Sequence, residues 1–249
     1  MTDATLPAAR FAEGEFRVGH VVSQAWSLLT RNFLKFFLVS AVAAMPQAAT
    51  NTIGDPFQVL QLVDIKMQGF GTLLGLLLTT LSEAAVLYGA FQNMRGQPVH
   101  LGESMRVGLR RFFPIVGVAL TMTIVGLLGL IVFVVPGLMF FTMSFVAISA
   151  CVVERRGVFA SIGRSSDLTR GYRWKIFALM LLFYLSDAIV EGGIEPLTSI
   201  AGAMPAFVAY LIWNGLWGAF YAICAVVTYH DLRVAKEGVD TAQIAAVFE

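Results

Sequence analysis

The stretch FFPIVGVALTMTIVGLLGLIVFVVPGLMFFTMSFVAISACVV, Phe112–Val153, carries no charged side chain in 42 residues. As one α-helix it would be about 63 Å long at about 1.5 Å per residue, twice the roughly 30 Å hydrocarbon core of a bilayer. It must therefore turn back on itself. Pro136-Gly137 is the expected turn, because proline lacks the amide hydrogen of a continuing helix and glycine tolerates positive φ. Spans are expected near 112–135 and 138–153.

The rest of the chain has the same character. Of its 249 residues 57% are apolar and 13% charged, against about 25% charged in soluble domains, and the mean hydropathy is +0.76. The same length criterion places further spans near 33–50, 70–92, 174–190 and 207–229, giving six. Pro46 interrupts the first, and Asp187 cuts short the uncharged run of the fifth. The net charge of +1 points to no nucleic-acid partner.

Orientation follows from the basic residues, which short loops retain on the cytoplasmic side. Sixteen of the 17 lysines and arginines fall before or at the entry of the first span, between the second and third, between the fourth and the entry of the fifth, or after the sixth. Only Lys66 lies on the opposite side. Both termini are therefore expected in the cytoplasm of a bacterial cell, bounded by the inner membrane. Residues 1–14 read as a disordered tail without a signal-peptide core, 15–232 as one integral membrane domain, and 233–249 as a cytoplasmic tail.

Three stretches have the pattern of amphipathic helices lying in the cytoplasmic interface. From Arg17 to Arg31, the residues Val18, Val21, Val22, Ala25, Trp26 and Leu29 form one stripe. From Leu101 to Phe112, Leu101, Met105, Leu109 and Phe112 oppose Glu103, Arg106 and Arg110. From Val158 to Arg170, Phe159, Ile162 and Ser166 oppose Arg164 and Asp167, with Gly171 as the stop. Each precedes a pair of spans, so the fold class is all-α and polytopic: six transmembrane helices in three hairpins, each introduced by an interfacial helix. The units lie near 16–92, 100–153 and 158–229. The echo between LTRNFLKFF at Leu29–Phe37 and LTRGYRWKIF at Leu168–Phe177 marks where an interfacial helix hands over to a span. Duplication and convergence both produce it.

Two acids fall within spans. Glu83 lies near the middle of the second, where a carboxylate costs several kcal/mol unless protonated or partnered; it reads either as a proton or substrate site or as a hydrogen-bonded packing residue. Beside it, Gly71, Gly75, Ser82, Ala85 and Gly89 form a small-residue face for close helix approach. Asp187 begins an acidic series with Glu191 and Glu195 at the outer end of the fifth span, where Gly192-Gly193 are expected to end the helix. Gly126, Gly129, Gly215 and Gly218 suit packing within one chain or against another copy or a membrane-protein partner.

Arg106, Arg110, Arg111, Arg155, Arg156, Arg164, Arg170, Arg173 and Lys175 form a basic cytoplasmic rim. It suits anionic lipid headgroups at about 1 kcal/mol per charge, and it is also what topology alone produces. His20, His100 and His230 share that side without metal-ligand spacing, and Cys151 and Cys224 read as small hydrophobes. No phosphate-binding loop or nucleophile elbow is present, so neither cofactor nor catalytic site is expected.

RSSDLTRGYRWKIF at Arg164–Phe177, VVPGL at Val134–Leu138 and YHDLRVAKEG at Tyr229–Gly238 resemble the membrane domain of glycerophosphoryl diester phosphodiesterases and its stand-alone relatives. The resemblance covers almost all of the chain after residue 15. In the fused members a separate soluble barrel performs metal-dependent phosphodiester hydrolysis, and the shared motifs are junctions rather than catalytic residues. The resemblance thus implies a membrane component without that chemistry. The expected function is non-enzymatic: lipid binding, scaffolding or envelope homeostasis, the alternative being a small transporter or channel-like protein that uses Glu83.

Overall fold

In the computed structural model, which describes residues 16–53, 64–194, 196 and 200–237, every regular element is an α-helix. The expected tail at 1–14 and the end of the C-terminal tail lie outside the described residues, as does Glu195. The elements are α1 (Val18–Arg31), α2 (Phe33–Ile53), α3 (Asp64–Met94), α4 (Leu101–Arg110), α5 (Phe112–Val132), α6 (Val134–Ser144), α7 (Ala147–Val153), α8 (Val158–Thr169), α9 (Arg173–Ile194) and α10 (Ala203–Glu237). Five segments are long and apolar enough to cross a membrane: Leu74–Met94, α5, the α6–α7 pair, α9 and α10. A sixth, α2, qualifies only together with α1, from which it is bent by 95°.

The return between α5 and α6 is made one turn earlier than Pro136-Gly137. Phe133 alone is extended, at φ −152° and ψ 124°, and Pro136 sits in the first turn of α6, where its missing N–H removes no helical bond. Gly137 instead serves packing. A Cβ added there would lie 2.5 Å from the Leu130 amide nitrogen, and one added at Gly129 would lie 3.0 Å from the Gly137 Cα. The two glycines let the arms of the hairpin touch backbone to backbone.

The fourth span is likewise two helices. It breaks at Phe145–Val146, and α8 repairs the break: Ser165 Oγ donates to the Met143 carbonyl at 2.7 Å and accepts from the Val146 amide at 3.2 Å. This explains why α8 buries Ser161, Ser165, Leu168 and Thr169. The expected apolar stripe is not the buried one, and Phe159 is 81% exposed. Similarly, α4 buries Ser104 and Gly108 against α3 and leaves Leu109 outward. In α1 the inward face is Val21, Ala25, Leu28 and Leu29, while Trp26 is 55% exposed and meets Phe220 edge-on. Periodicity locates an apolar stripe but not the side from which protein covers it, which is why the stripes of α4 and α8 are not their buried faces.

At its C-terminus α8 stops at Gly171, whose φ is +92°. By contrast α9 does not stop at Gly192-Gly193 but runs to Ile194, and α10 continues through Arg233 and Lys236 to Glu237. The glycines of α10 pack within the chain: a Cβ at Gly215 would lie 2.9 Å from the Ala41 Cβ of α2. Gly75, Ser82 and Gly89 of α3 also face α2, through Gln47, Ser40 and Phe36. Helix α10 thereby packs on α2, α3 and α1, and its stretch Ala222–Tyr229 is entirely buried.

Polar contacts gather the short segments at one end of the bundle. Lys35 Nζ donates to the Val99 carbonyl and Lys175 Nζ to the Phe16 carbonyl, each at 3.0 Å; Lys236 reaches the Asp167 carbonyl. His20 meets Asp231 at 3.1 Å, tying α1 to α10.

Candidate functional site

Glu83 and Asp187, 104 residues apart in sequence, face the same space. A cavity of about 400 Å³ lies between α2, α3, α9 and α10. Its α3 side is Thr79, Ser82 and Glu83, and its α2 side is Ser40, Ala43, Ala44 and Gln47. Opposite stand Phe183, Tyr184 and Asp187 of α9 with Asn214, Trp217, Gly218 and Tyr221 of α10.

The gap has a structural cause. On the α2 side, α10 sits close because Gly215 meets Ala41. On the α9 side it carries bulky rings: Phe183 lies 5.1 Å from Trp217 and 5.3 Å from Tyr221, and Trp213 stacks on Trp217 at 4.8 Å. These rings hold α9 away from α2 and α3. Small residues on one side and large ones on the other turn a helical interface into a pocket.

Both acids lie on membrane-length helices. The Trp213 indole N–H donates to Asp187 at 2.9 Å, and Asn214 Nδ2 donates to the Tyr210 carbonyl at 3.0 Å and toward Glu191 at 3.5 Å. Glu83 is half-buried and accepts no hydrogen bond from any described residue. Ser82, next to it, is 3.5 Å from Ser40. The described lining has two carboxylates, neutral polar groups and aromatic rings, and among the described residues no lysine, arginine or histidine lines it.

At the other end of the bundle the basic rim is divided in use. Arg164 pairs with both Glu154, at 2.8 Å, and Glu237; Arg156 also pairs with Glu154. The Tyr229 hydroxyl donates to Glu154 at 2.6 Å. Burial by itself would raise the Glu154 carboxyl, but Tyr229 and Arg164 outweigh it and hold the group below the usual carboxylate range. Arg111 donates to the carbonyls of Cys151 and Arg156, Arg173 to Ser166 Oγ, and Lys175 to Phe16. Arg106, Arg110, Arg155 and Arg170 remain exposed. Arg155, with φ +55°, lines a recess of about 140 Å³ together with Arg95, Gln92 and Tyr88.

Among the described residues, no three His, Cys, Asp or Glu side chains are placed to hold a metal. His20 and His230 both approach Asp231, and Cys151 and Cys224 are buried free thiols. The sequence marked Glu83 and Asp187 separately by their depth in apolar runs. It carried no signal that joined them, and none that identified Trp217, Asn214 or Gln47 as their neighbours, because that meeting depends on how α9 and α10 cross. No family model, curated protein or solved structure matches the chain.

Proposed function

We propose that this is a six-span inner-membrane protein that binds a small ligand in the cavity between α2, α3, α9 and α10 and acts as a carrier, without catalytic chemistry of its own. The observation behind this reading is the convergence of Glu83 and Asp187 on one partly open cavity between membrane-length helices. A buried acid retained for packing normally has a donor, whereas Glu83 has none among the described residues and opens onto a space large enough for a ligand. The cavity favours the transporter reading of the sequence over the scaffolding one.

The topology belongs to the same proposal: three like-oriented hairpins, each after an interfacial helix, with both termini cytoplasmic. Its support is the asymmetry of basic residues, the 95° bend between α1 and α2, and the polar contacts that gather α1, the α3–α4 and α7–α8 connections and the end of α10 at one pole. The family resemblance of the junction motifs is consistent with a membrane component. A second reading, binding of anionic lipid at the cytoplasmic rim, rests on exposed Arg106, Arg110 and Arg170 and on the recess at Arg95 and Arg155.

Two measurements test the proposal. A reporter fused after Glu249 should be active only in its cytoplasmic form. In nanodiscs, Gly218→Cys should react with neutral methyl methanethiosulfonate. Among the described residues a Cβ at position 218 meets only Ser40, at 3.9 Å, so the variant fits, and the wild-type cysteines are buried. A periplasmic reporter would end the topology, and an unreactive thiol in Gly218→Cys would end the cavity as a ligand site.

A further inference from the structure

Resting on the cavity as a ligand site, we propose that its ligand is an organic ammonium ion, a protonated or quaternary amine on a compact hydrocarbon body, with its charge between Glu83 and Asp187 and its body against Phe183, Trp217 and Tyr221.

Charge is the first argument. Two carboxylates in a low-dielectric site are stabilised either by protonation or by a compensating cation, and no described lining residue supplies a cation. Asp187 has one N–H donor, from Trp213, and Glu83 has none among the described residues. The ligand therefore brings the positive charge.

The neutral polar groups point the same way. Asn214 uses Nδ2 on the Tyr210 carbonyl, which leaves its Oδ1 as the acceptor available to the cavity. That oxygen would accept from the N–H of a protonated amine.

Size and wall chemistry then separate an organic cation from a bare metal ion. A calcium ion takes about six to eight oxygen ligands at about 2.3–2.6 Å, and a magnesium ion demands near-octahedral coordination. The cavity offers two carboxylates spread over about 400 Å³, and no described trio of ligands is placed for a metal. Four aromatic rings, Phe183, Tyr184, Trp217 and Tyr221, line its α9 and α10 side. Their faces carry negative quadrupole charge, and ammonium groups bind over them within about 6 Å of the centroid. The tilted Phe183–Trp217 pair and the edge-on Phe183–Tyr221 pair present faces at different angles, which suits a rounded alkylammonium better than a flat ring.

The test uses three thiol reagents that differ in charge on the full-length Gly218→Cys protein in nanodiscs: trimethylammonioethyl, methyl and sulfonatoethyl methanethiosulfonate, each rate divided by that with free mercaptoethanol. The cationic reagent should be favoured over the anionic one by at least about tenfold, from two carboxylates acting at short range. Glu83→Gln combined with Asp187→Asn should bring the ratio close to one. Benzyltrimethylammonium should protect the introduced thiol, its neutral carbon isostere should not, and Trp217→Leu should weaken protection by about threefold or more. If the methyl reagent reacts but the charged reagents do not differ, or the neutral isostere protects equally well, the cavity stands and the ammonium assignment falls. If no reagent reacts, the underlying reading fails first. A protonated, uncharged Glu83 as the occupied state would show itself as selectivity unchanged in Glu83→Gln, which also overturns the assignment.

Discussion

Glu154 is the acceptor on which three elements converge, and removing it should loosen one pole of the bundle. Tyr229 of α10 donates to it at 2.6 Å, Arg164 of α8 at 2.8 Å, and Arg156 joins from the connection between α7 and α8. In Glu154→Ala the Tyr229 hydroxyl, on a fully buried residue, loses its acceptor; Arg164 retains Glu237. A charge-assisted hydrogen bond contributes about 1.5–3 kcal/mol, and Arg156, nearly half exposed, adds only about 0–1 kcal/mol after screening. The surviving Arg164–Glu237 pair keeps the total below the roughly 3–5 kcal/mol lost when a buried charge is stripped of its partner. The expected loss is about 2–4 kcal/mol, and about half of it in Glu154→Gln, which still accepts from Tyr229. Tryptophan fluorescence during SDS titration of the protein in mixed micelles measures it, and Arg164→Ala with the double variant completes the cycle. The sign with pH is also determined. The folded carboxyl is held below its unfolded value of about 4.3, so its stabilisation is present above that pH and lost as the pH falls through the depressed value. The wild type should lose this component on acidification and Glu154→Ala should have none to lose. A change within about 0.5 kcal/mol for Glu154→Ala would refute the staple.

The same titration checks four further changes. Gly137→Ala should destabilise by about 1–3 kcal/mol because the added Cβ meets the Leu130 and Gly129 backbone, whereas Gly163→Ala, with nothing within 4 Å, should be neutral or stabilising by up to about 1 kcal/mol. Ser165→Ala should cost about 1–3 kcal/mol by stranding the Val146 amide and weakening the hold on the Met143 carbonyl at the α6–α7 break. Gly215→Leu should push α10 off Ala41 of α2, lowering stability by about 1–3 kcal/mol and, when combined with Gly218→Cys, altering the reaction rate of the thiol next to it.

What could be read from the sequence was set by quantities that add along the chain. Apolar length gave the helical segments, because the cost of exposing backbone and charge to hydrocarbon depends on composition over a window rather than on partners. Gly171 was legible as a stop because left-handed backbone is a local demand. Properties decided by a neighbouring helix were not. Pro136 looked like a turn until α6 placed it in a first turn that proline tolerates, and the serines of α8 looked like a polar face until the broken span beside them supplied a carbonyl and an amide. Glycines 192 and 193 looked like an end to α9, yet each costs only about 1 kcal/mol in a helix, and the remaining hydrogen bonds of α9 outweigh that. Glu83 and Asp187 were each visible as expensive residues, while their common cavity was not, since it comes from the size contrast between the Gly215 side and the Trp217 side of a single helix.

That contrast also divides α10 along its length, with a consequence for how a ligand would enter. Its stretch Ala222–Tyr229 is fully buried, Tyr229 and Arg233 bind Glu154 and Glu237, and α8 clamps the α6–α7 break beside it. Its outer half lines the cavity, and the neighbouring part of α9 exposes Tyr184, Leu185 and Ile189 to the surroundings. Local opening takes least free energy where buried contacts are few and the polar staples are absent. At that end α9 is tied to α10 through Trp213–Asp187 and Asn214–Glu191 but packs little on α2 and α3, whereas the cytoplasmic pole of the proposed topology carries the staple at Glu154. Glu83 and Asp187 should therefore be reached first by parting α9 from α2 and α3, from the lipid or the outer face, with the staple at Glu154 acting as the fixed pivot.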